Sequence, residues 1–244
     1  MMKHLITFLL ITFCLSITGQ EILLRKKTEE ILAEDDFGPN KKKYVHSMLS
    51  VGFNFGLQEE NVSLIRGWSS FSLGYGVRTK RRLSNTFSLG YDVRCELNQY
   101  RYRPHEGSLF QQFYSAPEPD SLLVDKLSYS SAQFAPYFRI NMGKRGNHLG
   151  KYIDLSVYGE LMITSSHAVK FKHPNDDQVN RSTLKTRRLK YTNKLLYGLE
   201  FRYGNSYYNV YLRYRANDLL NNKLKDDPRQ PPACNAGLYL FLAR

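Results

Sequence analysis

The sequence predicts an all-β protein, an eight-stranded antiparallel transmembrane up-and-down β-barrel with a filled polar lumen. Three observations carry this expectation. Eight segments alternate apolar and polar residues with period two, the mark of a strand whose faces meet different surroundings. None of the eight apolar rows contains a charge. The connections also alternate between short turns and longer loops, as they do in barrels that cross an outer membrane.

The elements follow in chain order. Residues 1–19 read as a secretory signal peptide: Lys3 and His4 form a basic start, Leu5 to Ile17 an apolar stretch, and Ser16, Thr18 and Gly19 a small-residue exit. The apolar stretch is too short to span a bilayer as a helix. Cys14 lacks the small residue before it that a lipoprotein acceptor needs, because Phe13 stands there. Residues 20–45 form a charged lead-in in which Ile22, Leu23, Leu24, Ile31 and Leu32 line a short helix ending near Asp35, broken by Gly38-Pro39-Asn40. The barrel is expected over residues 46–244.

The first strand sets Leu49, Val51, Phe53, Phe55 and Leu57 against Ser50, Gly52, Asn54 and Gly56. The second and third nearly repeat each other (FSLGYGVR and FSLGYDVR). Phe71, Leu73, Tyr75 and Val77 oppose Ser72, Gly74, Gly76 and Arg78; Phe87, Leu89, Tyr91, Val93, Cys95 and Leu97 oppose Ser88, Gly90, Asp92, Arg94, Glu96 and Asn98. The fourth carries Ala132, Phe134, Pro136, Phe138, Ile140 and Met142 against Gln133, Tyr137, Arg139 and Asn141, and Pro136 predicts a local break in the ladder. The fifth carries Ile153, Leu155, Val157, Leu161 and Ile163 against Asp154, Ser156, Tyr158 and Glu160. The sixth, seventh and eighth are built on Leu195 to Tyr203, Tyr208 to Tyr214 and Ala236 to Leu242, with Glu200, Arg202, Arg213 and Arg215 among their polar rows. Short turns are expected at residues 79–84, 143–150 and 204–206, and long loops at 104–126, 173–183 and 221–232. With a periplasmic N-terminus, every long loop falls outside the cell.

Alternation alone does not say which face is inside. A soluble barrel of the lipocalin type would turn the apolar rows inward around a ligand. The polar rows favour the opposite arrangement. They are rich in Gly and Ser in the first two strands and hold both charge signs elsewhere, which suits a narrow, filled lumen. The expected lumen charge network is Asp92, Arg94, Glu96, Arg139, Asp154, Glu160, Glu200, Arg202, Arg213 and Arg215. Eight strands enclose a space that side chains can fill. Tyr203, Tyr208 and Tyr214 near strand ends match an aromatic girdle.

The net charge of +13 can signal nucleic acid or anionic head groups, and an exported chain has no nucleic-acid partner. Lys185, Arg187, Arg188 and Lys190 cluster at the outer side of the sixth strand, where lipopolysaccharide phosphates are the natural counter-ions; a solvated strand extension is the equal alternative. Lys80, Arg81, Arg82, Lys144 and Arg145 fall at periplasmic turns, able to meet anionic inner-leaflet lipid or a partner. Loop 104–126 carries Leu109, Phe110, Phe113, Tyr114, Leu122 and Leu123, apolar residues expected to cap the mouth of the barrel, with a protein contact the alternative.

The leader, the lead-in, the alternating strands and the segment RINMGKRGNHLGKYIDLSVYGEL (Arg139 to Leu161) together resemble the small outer-membrane β-barrel proteins of Bacteroidota, the PorT-like grouping. The resemblance covers roughly residues 46–244. It implies an envelope component of the outer membrane, with partners in a secretion complex that moves cargo across that membrane.

Catalysis finds little support in the residues. Ser165, Ser166 and His167 with Glu160 are the residue types of a hydrolase, but an unbroken fifth strand puts His167 on the lipid side and Glu160 on the other. The acid pairs Asp176-Asp177 (near His173) and Asp226-Asp227 read as turn residues. Cys95 and Cys234 read as two buried small hydrophobes, with a disulfide between them the alternative. No cofactor or metal is expected. The expected function is a non-enzymatic structural or accessory barrel; the alternatives are a small-solute pore and, behind it, an outer-membrane lipid hydrolase.

Overall fold

The computed structural model describes residues 41–56, 65–66, 69–103, 109–110, 122–145, 148–172, 181–205, 207–221, 223 and 230–242. The leader, nearly all of the lead-in, and His173, Asp176, Asp177, Asp226 and Asp227 lie outside the described residues.

Eleven strands run through them: β1 (Lys43–Phe55), β2 (Phe71–Arg82), β3 (Phe87–Tyr102), β4 (Leu122–Asn141), β5 (Lys144–Arg145), β6 (His148–Leu149), β7 (Tyr152–Lys172), β8 (Arg181–Arg187), β9 (Leu195–Gly204), β10 (Tyr208–Arg215) and β11 (Cys234–Phe241). Eight of these close into a ring in the order β1-β2-β3-β4-β7-β9-β10-β11, and β11 returns to β1. Every neighbouring pair in the ring is antiparallel. Closure pairs the eight ring strands on both sides, which is how an all-β chain avoids edge-to-edge association.

The period-two pattern maps onto the ring as the sequence implies. Leu73, Tyr75 and Val77, Leu89 to Leu97 at odd positions, and Leu155, Val157 and Leu161 all point out and are exposed. Asp92, Arg94, Glu96, Arg139, Asp154, Glu200 and Arg202 point in and are almost fully buried. A one-residue slip in any ladder would exchange these faces, so the alternation also sets the register.

The strands are longer than expected, and this corrects several boundaries. β1 starts at Lys43 rather than after residue 45. β2 runs to Arg82, so the first short turn is 83–86 instead of 79–84. Ser84 closes it, its Oγ accepting from the Thr86 and Phe87 amides at 3.2 and 3.0 Å. β4 begins at Leu122, inside the loop expected over 104–126. The turn expected at 143–150 contains the small β5–β6 hairpin. The loop expected over 173–183 ends in β8, a ninth strand of the sheet that pairs only with the far end of β7.

Two irregularities interrupt the ladder between β4 and β7, and only the one at Pro136 was expected. Pro136 interrupts the β4–β7 ladder between the pairs Phe134–Gly159 and Tyr137–Ser156, and the Ser156 hydroxyl donates to the Pro136 carbonyl at 2.9 Å. A β-bulge on β7 lies between the pairs Ser131–Met162 and Ser130–Thr164. It leaves Ile163 unpaired and inverts the parity of all that follows. Below it the even positions face inward; above it Ser165, His167 and Val169 do so. His167 is therefore buried, not on the outer face as an unbroken strand required.

The long-loop end of the ring holds the main apolar cluster. Tyr100 and Tyr102 from β3, Leu127 and Tyr129 from β4, Met162 from β7 and Leu196 from β9 meet Ile65, Leu109, Leu189, Tyr191, Leu219 and Leu220 from the connections. A second group joins Phe110, Leu122, Val169 and Phe171. Leu109, Phe110 and Leu122 thus fold onto the mouth as expected, whereas Leu123 is exposed; Phe113 and Tyr114 lie outside the described residues. Cys95 and Cys234 are both free: Cys234 is buried, but Cys95 is exposed on the outer wall, which corrects the reading of both as buried.

Candidate functional site

The interior of the ring is the most unusual chemical feature of the molecule. Inward parity brings five arginines and four carboxylates into one connected group. Arg78 forks Asp92 with Nε and Nη2 at 2.8 and 3.0 Å and reaches Asp154 with Nη1 at 3.4 Å. Arg139 forks the same Asp154 at 2.7 and 2.8 Å. Arg202 pairs with Asp92 at 2.6 Å and with Glu200. One step further along, Arg213 forks Glu96 at 2.5 and 2.8 Å and donates to Glu200 at 2.8 Å. Arg94 joins Glu200 at 3.0 Å. Bidentate guanidinium–carboxylate pairs are the arrangement that best compensates two buried charges for lost water.

These contacts cross the ring. β3 and β10 lie diametrically opposite, yet Glu96 on one meets Arg213 on the other. Arg78 on β2 reaches Asp154 on β7, and Arg94 on β3 reaches Glu200 on β9, each three strands away. Tyrosines pack between the cations. Arg139 lies 3.5 Å from the Tyr152 ring centre, and Tyr239 lies within 5.0–5.6 Å of Arg78, Arg94 and Arg202. The Tyr239 hydroxyl also donates to Glu200 at 3.0 Å.

The filling is lopsided, and the glycines explain how. Inward positions in the middle of β1 and β2 (Ser50, Gly52, Ser72, Gly74 and Gly76) are small, so long side chains of the other strands extend toward them. Gly90 of β3 shows the limit: a Cβ there would stand 2.5 Å from the Tyr137 ring. Where the first two strands leave room, short amides and hydroxyls close it. Asn235 donates to Asn54 at 2.8 Å and to Ser72 at 3.0 Å.

Of the ten residues expected in the network, eight are ion-paired: Asp92, Arg94, Glu96, Arg139, Asp154, Glu200, Arg202 and Arg213. Glu160 and Arg215 are buried but lie at its edge. Glu160 takes hydrogen bonds from Ser131 and, at 3.5 Å, from Asn98. Arg215 donates to the carbonyls of Asn217 and Pro231, each at 2.9 Å, and to the Tyr100 hydroxyl at 3.3 Å. Arg78 belongs to the network and was not counted in it. The signal was present, since its inward parity is legible in the second strand. Lys80 and His46 are also buried inside; Lys80 had been assigned to a turn.

A second polar group sits above the bulge, at the long-loop end. His167 Nε2 meets Asp125 Oδ1 at 2.6 Å, and His167 Nδ1 meets the Tyr191 hydroxyl at 2.9 Å. The other Asp125 oxygen accepts the Phe110 amide at 2.8 Å. The chain Phe110–Asp125–His167–Tyr191 ties two connections to β4 and β7. The Ser165 hydroxyl, one of the hydrolase residue types, accepts the Leu189 amide at 3.0 Å, and Glu160 remains below the bulge. The geometry does not bring Ser165, His167 and Glu160 together. Lys185, Arg187, Arg188 and Lys190 are exposed along β8 and the turn after it, where Arg188 adopts a positive φ of 56°.

No family model matches the chain, and no curated protein is similar to it.

Proposed function

We propose that this chain is a non-enzymatic outer-membrane β-barrel, anchored by its apolar wall and closed by its own ion-paired filling, serving as a structural or accessory component of the envelope. The observation that carries this reading is the contact of Glu96 with Arg213 across the full width of the ring, under an outer wall whose middle rows are apolar and uncharged. The outward row of β3 from Phe87 to Leu97 rises about 33 Å along the strand. At a tilt of about 40° that is about 25 Å of height, the thickness of the apolar band of an outer-membrane barrel. The polar interior supports a membrane barrel over a soluble ligand carrier, which would need the opposite alternation.

The resemblance to the PorT-like barrels of Bacteroidota extends the proposal to a place in a secretion complex, through the loops and rims rather than the interior. The test is planar-bilayer recording with the purified, folded protein. The expected result is no stepwise conductance; reproducible open channels would replace this reading with the small-solute pore. Heat-modifiable migration of the outer-membrane fraction tests the barrel and its location together. Co-purification from mild detergent tests the accessory role, and a lone monomer counts against it.

A further inference from the structure

The distribution of charge between inside and outside is lopsided. The described acidic residues are Asp92, Glu96, Asp125, Asp154, Glu160, Glu200 and Asp218, and only Asp218 is exposed. Among the described residues acids serve the interior, so the exposed described cations on the wall have few described acids as counter-ions. At the short-turn end this becomes acute. Lys43 of β1 and Arg81 of β2 are directly paired in the ladder, both exposed and both on the outward face. Like charges placed opposite each other destabilise a sheet, their Cβ atoms being about 4.5–5.5 Å apart.

An anion between them would turn this repulsion into attraction, and the wall there has the shape to receive one. Lys42, Lys43, Thr79, Arg81, Leu89 and Tyr91 line a groove of about 660 Å³. The register orders it into rows. Lys43, Arg81 and Leu89 lie side by side across β1, β2 and β3, and Val45, Thr79 and Tyr91 form the next row toward the middle of the wall. Gly90 and Thr79 keep the floor low between larger neighbours. Cations stand at the rim with Leu89 beside them, and Val45 and Tyr91 lie in the row beneath, the order of a phospholipid from phosphate to acyl chain.

We propose that this groove binds one anionic glycerophospholipid of the inner leaflet, with the head-group phosphate held by Lys42, Lys43 and Arg81 and the acyl chains on Val45, Leu89 and Tyr91. Arg81 supplies a planar fork for two phosphate oxygens, and the lysines supply point charges. This rests on the membrane reading above.

Native mass spectrometry of the full mature chain in neutral detergent tests it, with phosphatidylglycerol or phosphatidylcholine of identical acyl chains added. Wild-type protein should retain phosphatidylglycerol in clear excess, and each cation removed should weaken that excess about fivefold. The pair Lys43→Gln with Arg81→Gln should abolish it, Arg81→Gln alone should weaken it, and Lys185→Gln with Arg187→Gln should leave it intact. Heat-modifiable migration identifies which variants are folded. Equal retention of the two lipids by wild type, or an undiminished preference in folded Arg81→Gln, overturns the proposal. Displacement of the lipid by excess inorganic phosphate would reduce the groove to a simple anion site and also overturn it. Flotation with phosphatidylcholine vesicles separates the two readings. A wild-type chain that does not float refutes the membrane barrel itself, whereas one that floats without lipid preference refutes only the lipid site.

Discussion

The middle of the ring and its long-loop mouth are filled by opposite means. In the middle, arginines and carboxylates meet in pairs around Glu200, with tyrosine rings between them. At the mouth, Leu109, Leu127, Leu196 and Leu219 pack with tyrosines into an apolar cluster, each almost wholly buried. The middle is framed entirely by strands whose other face is apolar, so only polar residues are left for the inside. At the mouth inward strand positions such as Leu127 and Leu196 are apolar as well, and the connections, free of that alternation, pack against them. The contrast teaches that charges fill the inside where only strands surround it, and apolar side chains where connections fold in. Burying ion pairs adds little net stability, but breaking one after burial is costly.

Removing the acid at the centre tests this most severely. Glu200→Leu leaves Arg94, Arg202 and Arg213 without their shared carboxylate, an expected loss of about 3–5 kcal/mol. The urea midpoint of the folded, heat-modifiable band should fall accordingly; an unchanged midpoint would show that water or neighbouring acids replace Glu200 freely. Leu109→Ala strikes the other region. It should cost about 3 kcal/mol, the order found for deleting a buried leucine. Hydrogen exchange should quicken at residues 100–102 and 127–129 before it does at residues 92–96. Equal acceleration in both would mean that middle and mouth unfold as one unit.

A smaller effect is expected at the wall of the middle region. Gly90→Ala forces its new methyl against the Thr79 carbonyl oxygen and the Tyr137 ring, an overpacking cost of about 1–3 kcal/mol. Combining it with Tyr137→Ala should recover part of that loss, and strict additivity of the two would contradict the close approach. Smallest is Tyr191→Phe, which keeps the ring in the mouth cluster and removes only the hydroxyl facing His167. About 1 kcal/mol is expected, read from the same denaturant midpoint. A cost as large as that of Glu200→Leu would show that the mouth also depends on its polar chain.

Much of the ring was legible because a strand in a two-sided wall repeats every two residues, and eight such repeats survive in the sequence with no charge in the outward rows. Eight of the ten interior charges named from that parity are ion-paired inside. Arg78 was missed as a network member although its parity was plain, the polar rows of the first two strands being read as Gly- and Ser-rich with the charges elsewhere. The bulge beside Ile163 was not legible. One unpaired residue leaves a locally reasonable alternation on both sides, and only the pairing of β7 with β4 reveals that the two halves are out of phase. That shift moves His167 from the wall to the interior and creates its contact with Asp125.

By itself, then, the sequence determined the fold class, the number of ring strands and the composition of the two faces, since these follow from local periodicity. The tertiary structure alone decided which charges meet and where the parity inverts. It also decided that Lys43 and Arg81 stand side by side on the outer wall. Those are properties of register between strands, and register depends on residues brought together from distant parts of the chain.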